Sequence, residues 1–308
     1  MSVGVLLMAY GTPDTADDVE AYFTHIRGGR TPSADAVAHL RNRYEIVGGR
    51  TPLLDVTTRL RDEVEQELNA RATGTDYRVH VGMKHWHPFI SDVVPQMLAD
   101  GVAELVGIAL APHYSRLSVG AYRASLEQAL ADARAQLPVR FVESWHTHPQ
   151  FLDLITSRLR TTLESWPADE QNRVVTVFSA HSLPERIRQW DDPYERHLLE
   201  SCRAVAVLAG INEWRFAWQS AGETGEPWLG PDIVATIEAL GRDGITGVLS
   251  VPIGFVSDHL EILYDIDHEA RHAAEALGMT FRRVAMPNAD PAFVRTIAAI
   301  ARECASSS

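Results

Sequence analysis

The sequence predicts an α/β protein built twice over, with parallel sheets covered by helices on both faces. Short apolar runs alternate with longer amphipathic ones along the whole chain. The order of runs in the first half recurs in the second. A local echo supports the repeat: Asp100-Gly101-Val102 precedes the third strand of one half and Asp243-Gly244-Ile245 the third strand of the other.

Val3–Met8 is a continuous apolar run of buried-strand type, ended by Tyr10-Gly11-Thr12-Pro13. A helix follows, with Thr12 or Asp14 as N-cap and Val19, Tyr22, Phe23 and Ile26 on one face. A second helix starts near Ser33. A third carries Leu53, Val56, Leu60, Val64 and Leu68 at helical spacing. Tyr77–Met83 reads as a strand, Pro88 opens a helix, and Leu105–Ala111 is the third strand. Val119–Leu137 is a helix and Val139–Glu143 the fourth strand. In the second half the strands are Arg173–Ser179, Trp214–Trp218, Gly247–Pro252 and Phe281–Val284. Helices are expected from Pro184, from Pro231, after Ser257 and over Pro291–Cys304.

The length of 308 residues suits two domains, and 45% hydrophobic with 22% charged residues is ordinary for a folded protein. A net charge of −13 argues against nucleic acid or an anionic membrane as the main partner. It leaves room for an anionic small molecule held by arginines gathered in one place. Cys202 and Cys304 make neither a disulfide framework nor a metal-ligand pair, so they are expected as free thiols in a reducing compartment. The first residues lack the basic segment of a signal peptide, and no run approaches the roughly 18 apolar residues of a membrane span. A cytoplasmic protein without integral membrane association is expected.

Ligands of open parallel sheets bind beyond the carboxyl ends of the strands. Tyr10–Pro13, Lys84-His85-Trp86-His87, Ala180–Pro184 and Gly254–Glu261 all fall there. His181 reads either as a structural residue or, with Glu261 after another strand of the same half, as part of a proton-accepting or metal-ligating pair. Glu261, Asp265 and Glu269, at i, i+4 and i+8, are either a solvated helix face or a carboxylate ladder for cations and protons. Arg27, Arg30, Arg43 and Arg50, with Tyr44 and Thr51 and the glycine pairs at 28–29 and 48–49, are either scattered surface residues or a carboxylate-binding set. No Walker or dinucleotide fingerprint is present. Trp86, Trp190, Trp218 and Trp228, the last in the loop 220–228, are either core residues or the walls of a flat apolar site.

At these residues the chain resembles the ferrochelatase family over nearly its whole length. Five motifs carry the resemblance in order: Met8–Pro13 (MAYGTP), Arg43–Gly49 (RYEIVGG), Phe178–Pro184 (FSAHSLP), Trp218–Gly222 (WQSAG) and Val251–Asp265 (VPIGFVSDHLEILYD). The resemblance implies two similar Rossmann-like domains, residues 1–145 and 146–308. Each would be a four-stranded parallel sheet flanked by helices, chelatase-like, with the active-site cleft between them. It implies that His181 and Glu261 are the catalytic and iron-binding pair, with Tyr10 as an axial contact on the opposite porphyrin face. Arg27, Arg43, Tyr44, Thr51 and Tyr122 would hold porphyrin propionates and edges, with Ser220 nearby. Asp265 and Glu269 would extend Glu261 as a metal or proton relay.

Within that family the sequence looks like the compact Gram-positive type. The segment Ala111–Tyr122 is short and lacks the longer apolar lip of protoporphyrin enzymes. An open, arginine-bearing mouth suits the four carboxylates of coproporphyrin III better than the two of protoporphyrin IX. The expected reaction inserts Fe2+ into coproporphyrin III in haem biosynthesis and releases two protons. Fe2+ enters as substrate and no tightly bound cofactor is expected. Some relatives carry an iron–sulfur cluster on four cysteines; with two, this chain should not. Thr51 stands where relatives often have Ser, and Gly28 replaces a second Arg of some relatives, which puts one propionate contact in doubt. A monomer is expected, with a transient haem-pathway enzyme as an open partner. The rival readings are a protoporphyrin enzyme, a chelatase for another metal or tetrapyrrole, a haem-binding or delivery protein on the same fold, and a two-domain binding protein for an anionic metabolite.

Overall fold

A computed structural model describes residues 2–70, 74–222 and 224–306. The described residues form two four-stranded sheets with the same strand order. The first runs β2-β1-β3-β4 through β1 (Ser2–Ala9), β2 (Asp76–Met83), β3 (Glu104–Ala109) and β4 (Val139–Val142). The second runs β6-β5-β7-β8 through β5 (Val174–His181), β6 (Trp214–Gln219), β7 (Gly247–Val251) and β8 (Thr280–Arg283). Every pairing is parallel, with Val5 opposite Val79 and Val106 in one sheet and Val177 opposite Arg215 and Ser250 in the other. The expected α/β class and the internal repeat are both present.

The central strands explain their own sequences. Val3–Ala9 of β1 is buried without a break, because helices cover both faces of a parallel sheet. The first unit has helices α1 (Val19–Ile26), α2 (Ala34–Ile46), α3 (Leu53–Asn69), α4 (Ile90–Ala99) and α5 (Val119–Asp132), of which α3, α4 and α5 pack on the strands while α1 and α2 pack on each other. Ser33 caps α2 by accepting the Ala36 N–H at 3.3 Å. Leu53, Leu60, Val64 and Leu68 form the buried stripe of α3. The helix expected over Val119–Leu137 stops five residues early. Arg134 turns left-handed, at φ 52°, and Ala135 N–H closes back on Leu130 O at 3.0 Å.

In the second unit, α6 (Pro149–Leu163) occupies a stretch with no predicted element, although Phe151, Leu152, Ile155 and Leu159 mark its buried face. Pro184 opens only a 3₁₀ segment, Glu185–Trp190, which ends at left-handed Asp191. The full helix, α7 (Tyr194–Ala209), starts after Pro193, and α8 (Ile233–Arg242) starts behind the Asp232 cap. Val175, Val177, Ile237, Val248, Ile262, Ile266 and Phe281 meet in this unit's core. At roughly 1.5–3 kcal/mol for each fully buried large aliphatic side chain, such contacts dominate the favourable side of folding.

The boundary at 145/146 falls where the two compact units divide, but the expected continuity of residues 146–308 is corrected. Ser257–His259 and Pro287–Ser308 belong with Met1–Trp145, while the second unit is His146–Val256 and Leu260–Met286. Non-local contacts draw the last helix, α10 (Pro291–Ser306), into the first unit. It packs on α3 and β4, Arg302 donates to Glu67 O at 2.6 Å, and fully buried Phe293 lies 6.0 Å from the Trp145 ring. The short return is fixed by Asn288, which accepts from Asp258 N–H and donates to the Asp258 carboxylate at 2.6 Å.

Candidate active site

The strand order reverses between β5 and β7 in the second unit, and that is where an open parallel sheet offers its ligand crevice. His181 is the last residue of β5, and Glu261 begins the helix that follows β7. The loop leaving β7 passes close over β5. A Cβ on Gly254 would stand 2.6 Å from that of Ala180, so glycine is required there. Gly254 N–H donates to Ser179 O at 3.2 Å and holds the crossing.

His181 Nε2 lies 3.5 Å from Glu261 Oε1, with about a third of the imidazole and a quarter of the carboxylate side chain open to solvent. Nδ1 faces the Ser182 carbonyl, to which it donates, so the Nε2 edge is the one turned to Glu261. Burial works against a charged imidazole here. The Glu261 charge and hydrogen bond, the Ser182 carbonyl and Asp265 together outweigh burial and raise the His181 pKa to about 9. Tyr194 steadies the strand end by donating to His181 O at 3.1 Å. Its phenol is pushed well up, first by burial and then by the Glu261 charge.

Gln219, at the end of β6 and almost wholly buried, ties the site together. Its amide donates to Glu261 O at 3.0 Å and its oxygen accepts from Ser179 Oγ at 2.9 Å. The next residue, Ser220, takes a left-handed backbone at φ 59° and turns its hydroxyl onto Asp265 Oδ2. Trp228 presents its ring 6.2 Å from the His181 ring. Gly222 makes room for that indole, since a Cβ would come within 2.5 Å of it. Glu223, within the expected loop 220–228, lies outside the described residues.

The helix carrying the three carboxylates differs from the expected α-helix. Glu261–Ala270 is a π-helix, running into α9 (Arg271–Ala276), and Arg271 N–H bonds Ile266 O five residues back. Such wide turns are rare and recur at functional sites. Asp267 is clamped by Arg283 through two bonds of 2.8 Å. The carboxylates are not equivalent: Glu261 is half-buried, Asp265 is buried against Ser220, and Glu269 is exposed.

In the first unit, Tyr10 follows β1 and is 40% exposed, with its ring 4.5 Å from that of His85. His85 also faces His25, Nδ1 to Nδ1 at 3.2 Å. Burial, then the charges of Lys84 and His25, lower the His85 pKa to about 3, so its ring is neutral. Lys84, its own pKa lowered by burial, places Nζ 5.6 Å from the centre of the buried Tyr122 ring. Tyr44 and Thr51 are almost fully buried, and their hydroxyls meet Thr12 Oγ1 at 3.2 and 2.9 Å. They brace the loop after β1. Arg43, next to Tyr44 on α2, is half-buried. Arg27 is exposed at the end of α1, with its guanidinium 5.7 Å from the Phe23 ring.

The structure thus brings His181, Glu261, Ser220 and Asp265 together, and leaves Glu269 on the exposed side of its helix. Gln219, Ser179, Tyr194 and Thr12 complete these networks without being among the site residues that the sequence predicts. Gln219 and Thr12 sit inside motifs already singled out; Tyr194 carries no local signal, because a tertiary contact alone places it. Among the tryptophans at the strand ends and loops, Trp228 stands beside His181, Trp218 is core, Trp190 is exposed, and Trp86 donates to Asp14. Cys202 and Cys304 are free thiols, both with pKa raised by burial.

Residues 2–305 match the family model described as Ferrochelatase. A protein of Herpetosiphon aurantiacus named Ferrochelatase is 46% identical over 94% of this chain and 95% of its own. Proteins named Coproporphyrin III ferrochelatase are 40% identical in Bacillus subtilis (97% of this chain, 96% of that one) and in Listeria monocytogenes (98% and 97%). Among solved structures, SirB from Bacillus subtilis with Fe3+ aligns at a TM-score of 0.60 over 99% of this chain and 96% of its own; at 10% identity that likeness concerns the fold.

Proposed function

The chain belongs to the ferrochelatase family, a metal-chelating enzyme of haem synthesis, and we propose that its porphyrin substrate is coproporphyrin III. The observation that carries the chemistry is the His181 Nε2–Glu261 Oε1 pair at the strand-order reversal, with Asp265 held behind it by Ser220. Support for the substrate comes from relatives at 40% identity whose names specify coproporphyrin III, and from the short segment Ala111–Tyr122.

Inserting Fe2+ into a free-base porphyrin replaces two pyrrole protons, so the site must ligate a divalent ion and dispose of protons. An imidazole with Nε2 turned to a carboxylate serves both needs: deprotonated, it offers a lone pair, and protonated, it is stabilised by Glu261. With a pKa of about 9 the His181 ring starts as an imidazolium at neutral pH, so it first passes its Nε2 proton to Glu261 and then accepts a pyrrole proton or ligates iron; the second pyrrole proton leaves through the same carboxylates. Glu261 holds iron or passes the proton to Asp265, and exposed Glu269 delivers it to solvent. Because the pair is coupled, these roles belong to the two groups jointly. Binding energy from the propionates bends the macrocycle so that nitrogen lone pairs leave its plane. Contacts from Tyr10, Arg27, Arg43 and Tyr122 to the porphyrin, with Tyr44 and Thr51 acting through Thr12, are part of the proposal. So are a cytoplasmic location, a monomeric state and, with two cysteines in the whole chain, the lack of an iron–sulfur cluster. No helix among the described residues is long and apolar enough to cross a membrane.

The test is anaerobic metalation by Fe2+ with coproporphyrin III and protoporphyrin IX side by side, followed by absorption. Faster conversion of coproporphyrin, lost in His181→Ala and Glu261→Gln, is expected. Preference for protoporphyrin overturns the substrate assignment, and near wild-type turnover in His181→Ala overturns the mechanism.

A further inference from the structure

We propose that His146, His197 and Glu200 form a binding site for one borderline divalent transition-metal ion, built from residues that take no part in the His181–Glu261 arrangement. All three belong to the second unit: His146 precedes α6, while His197 and Glu200 lie three residues apart on one face of α7.

The site is partly assembled. The imidazoles of His146 and His197 stack with centroids 4.0 Å apart and planes 12° from parallel. His146 Nε2 meets Glu200 Oε2 at 2.8 Å. One ligand atom from each residue lies within 4.8 Å of the other two. Fully buried Ser201 locks the backbone beneath them, donating to His146 O at 2.8 Å and His197 O at 3.2 Å. His146 is itself buried, so one ligand is fixed and the other two adjust.

Tetrahedral coordination at about 2.0–2.1 Å needs donor atoms roughly 3.3 Å apart. The His146–Glu200 separation is already shorter than that. The remaining closure, about 1.5 Å at most, is within reach of side-chain rotation at His197 and Glu200, both partly open to solvent. The ion would take the place of the proton between His146 and Glu200, and that proton is released on binding. Arg196 approaches the other carboxylate oxygen, Oε1, at 3.9 Å and leaves Oε2 to the ion. With 43% of the Glu200 side chain exposed, water can supply the fourth ligand. Two imidazole nitrogens and one carboxylate oxygen select Zn2+, Co2+ or Fe2+ over Mg2+ or Ca2+, which prefer all-oxygen shells. An ion there would fasten the segment before α6 to α7.

The competing account is a His–Glu hydrogen bond with a stacked neighbour and no affinity for metal. Cobalt(II) separates the two, because its visible ligand-field absorption reports coordination. It is titrated into the chelator-stripped full chain carrying His181→Ala and Glu261→Gln, so that the catalytic pair does not contribute. One equivalent of absorbing complex is expected, displaced by Zn2+ but not by Mg2+, and lost when His197→Ala and Glu200→Gln are added with an unchanged circular dichroism spectrum. Should that addition unfold the chain, Glu200→Gln alone, an isosteric change at a half-exposed position, is expected to weaken cobalt binding at least tenfold. No cobalt complex in the first protein, or a complex that survives loss of His197 and Glu200, overturns the proposal.

Discussion

Replacing Glu261 by Gln removes one charge and almost no volume, so it isolates the electrostatics of the pair. At 3.5 Å and an effective dielectric of about 20, the attraction between His181 and Glu261 is roughly 4–5 kcal/mol before solvent screening. The rise of the His181 pKa from 6.5 to about 9 converts, at about 1.4 kcal/mol per pH unit, to some 3 kcal/mol. Because a third of the imidazole is exposed, a screened value of about 1.5–3 kcal/mol is expected. A raised folded-state pKa means that protonation favours the fold. This contribution is complete below pH 6.5 and is lost as the pH rises through about 9. In Glu261→Gln burial, already the largest single influence on His181, is opposed only by the Ser182 carbonyl and Asp265, and the His181 pKa should drop well below its wild-type value. The checks are an NMR titration of the His181 ring and urea denaturation between pH 5 and 10. Wild-type stability should decline across pH 6.5–9 by that amount more than the variant's. A His181 titration that stays near pH 9 in the variant would refute the assignment of Glu261 as the cause.

Two further outcomes follow from the geometry. Gly222→Ala puts a Cβ 2.5 Å from the Trp228 ring, so the indole beside His181 must move; a loss of about 1–3 kcal/mol in thermal denaturation, altered Trp fluorescence and slower metalation are expected. Tyr44→Phe removes the hydroxyl that meets Thr12 at 3.2 Å but leaves Thr12 bonded to Thr51, so denaturation should show only about 0.5–1.5 kcal/mol lost.

Much of this protein is written locally. The apolar runs, the prolines and glycines that punctuate them, and the echo between halves are enough to predict parallel sheets with covered faces. Covered parallel strands must be apolar throughout, as Val3–Ala9 is. Placing His181 and Glu261 at strand ends required only that register, and the five motifs then pointed to the family. Tertiary structure decided what depends on distant partners. The π-coil at Glu261–Ala270 has no signature in a sequence that also satisfies α-helical spacing. Asp265 became a buried, Ser220-bound carboxylate and Glu269 an exposed one because a left-handed serine from another strand end meets the first and not the second. Tyr44 and Thr51 meet Thr12 across 32 and 39 residues of sequence, and α10 returned to the first unit because α3 and β4 cover its apolar face. Periodicity specifies which face of an element is apolar; which other element covers it is settled by competition among non-local contacts, and that competition is resolved only when the chain is packed.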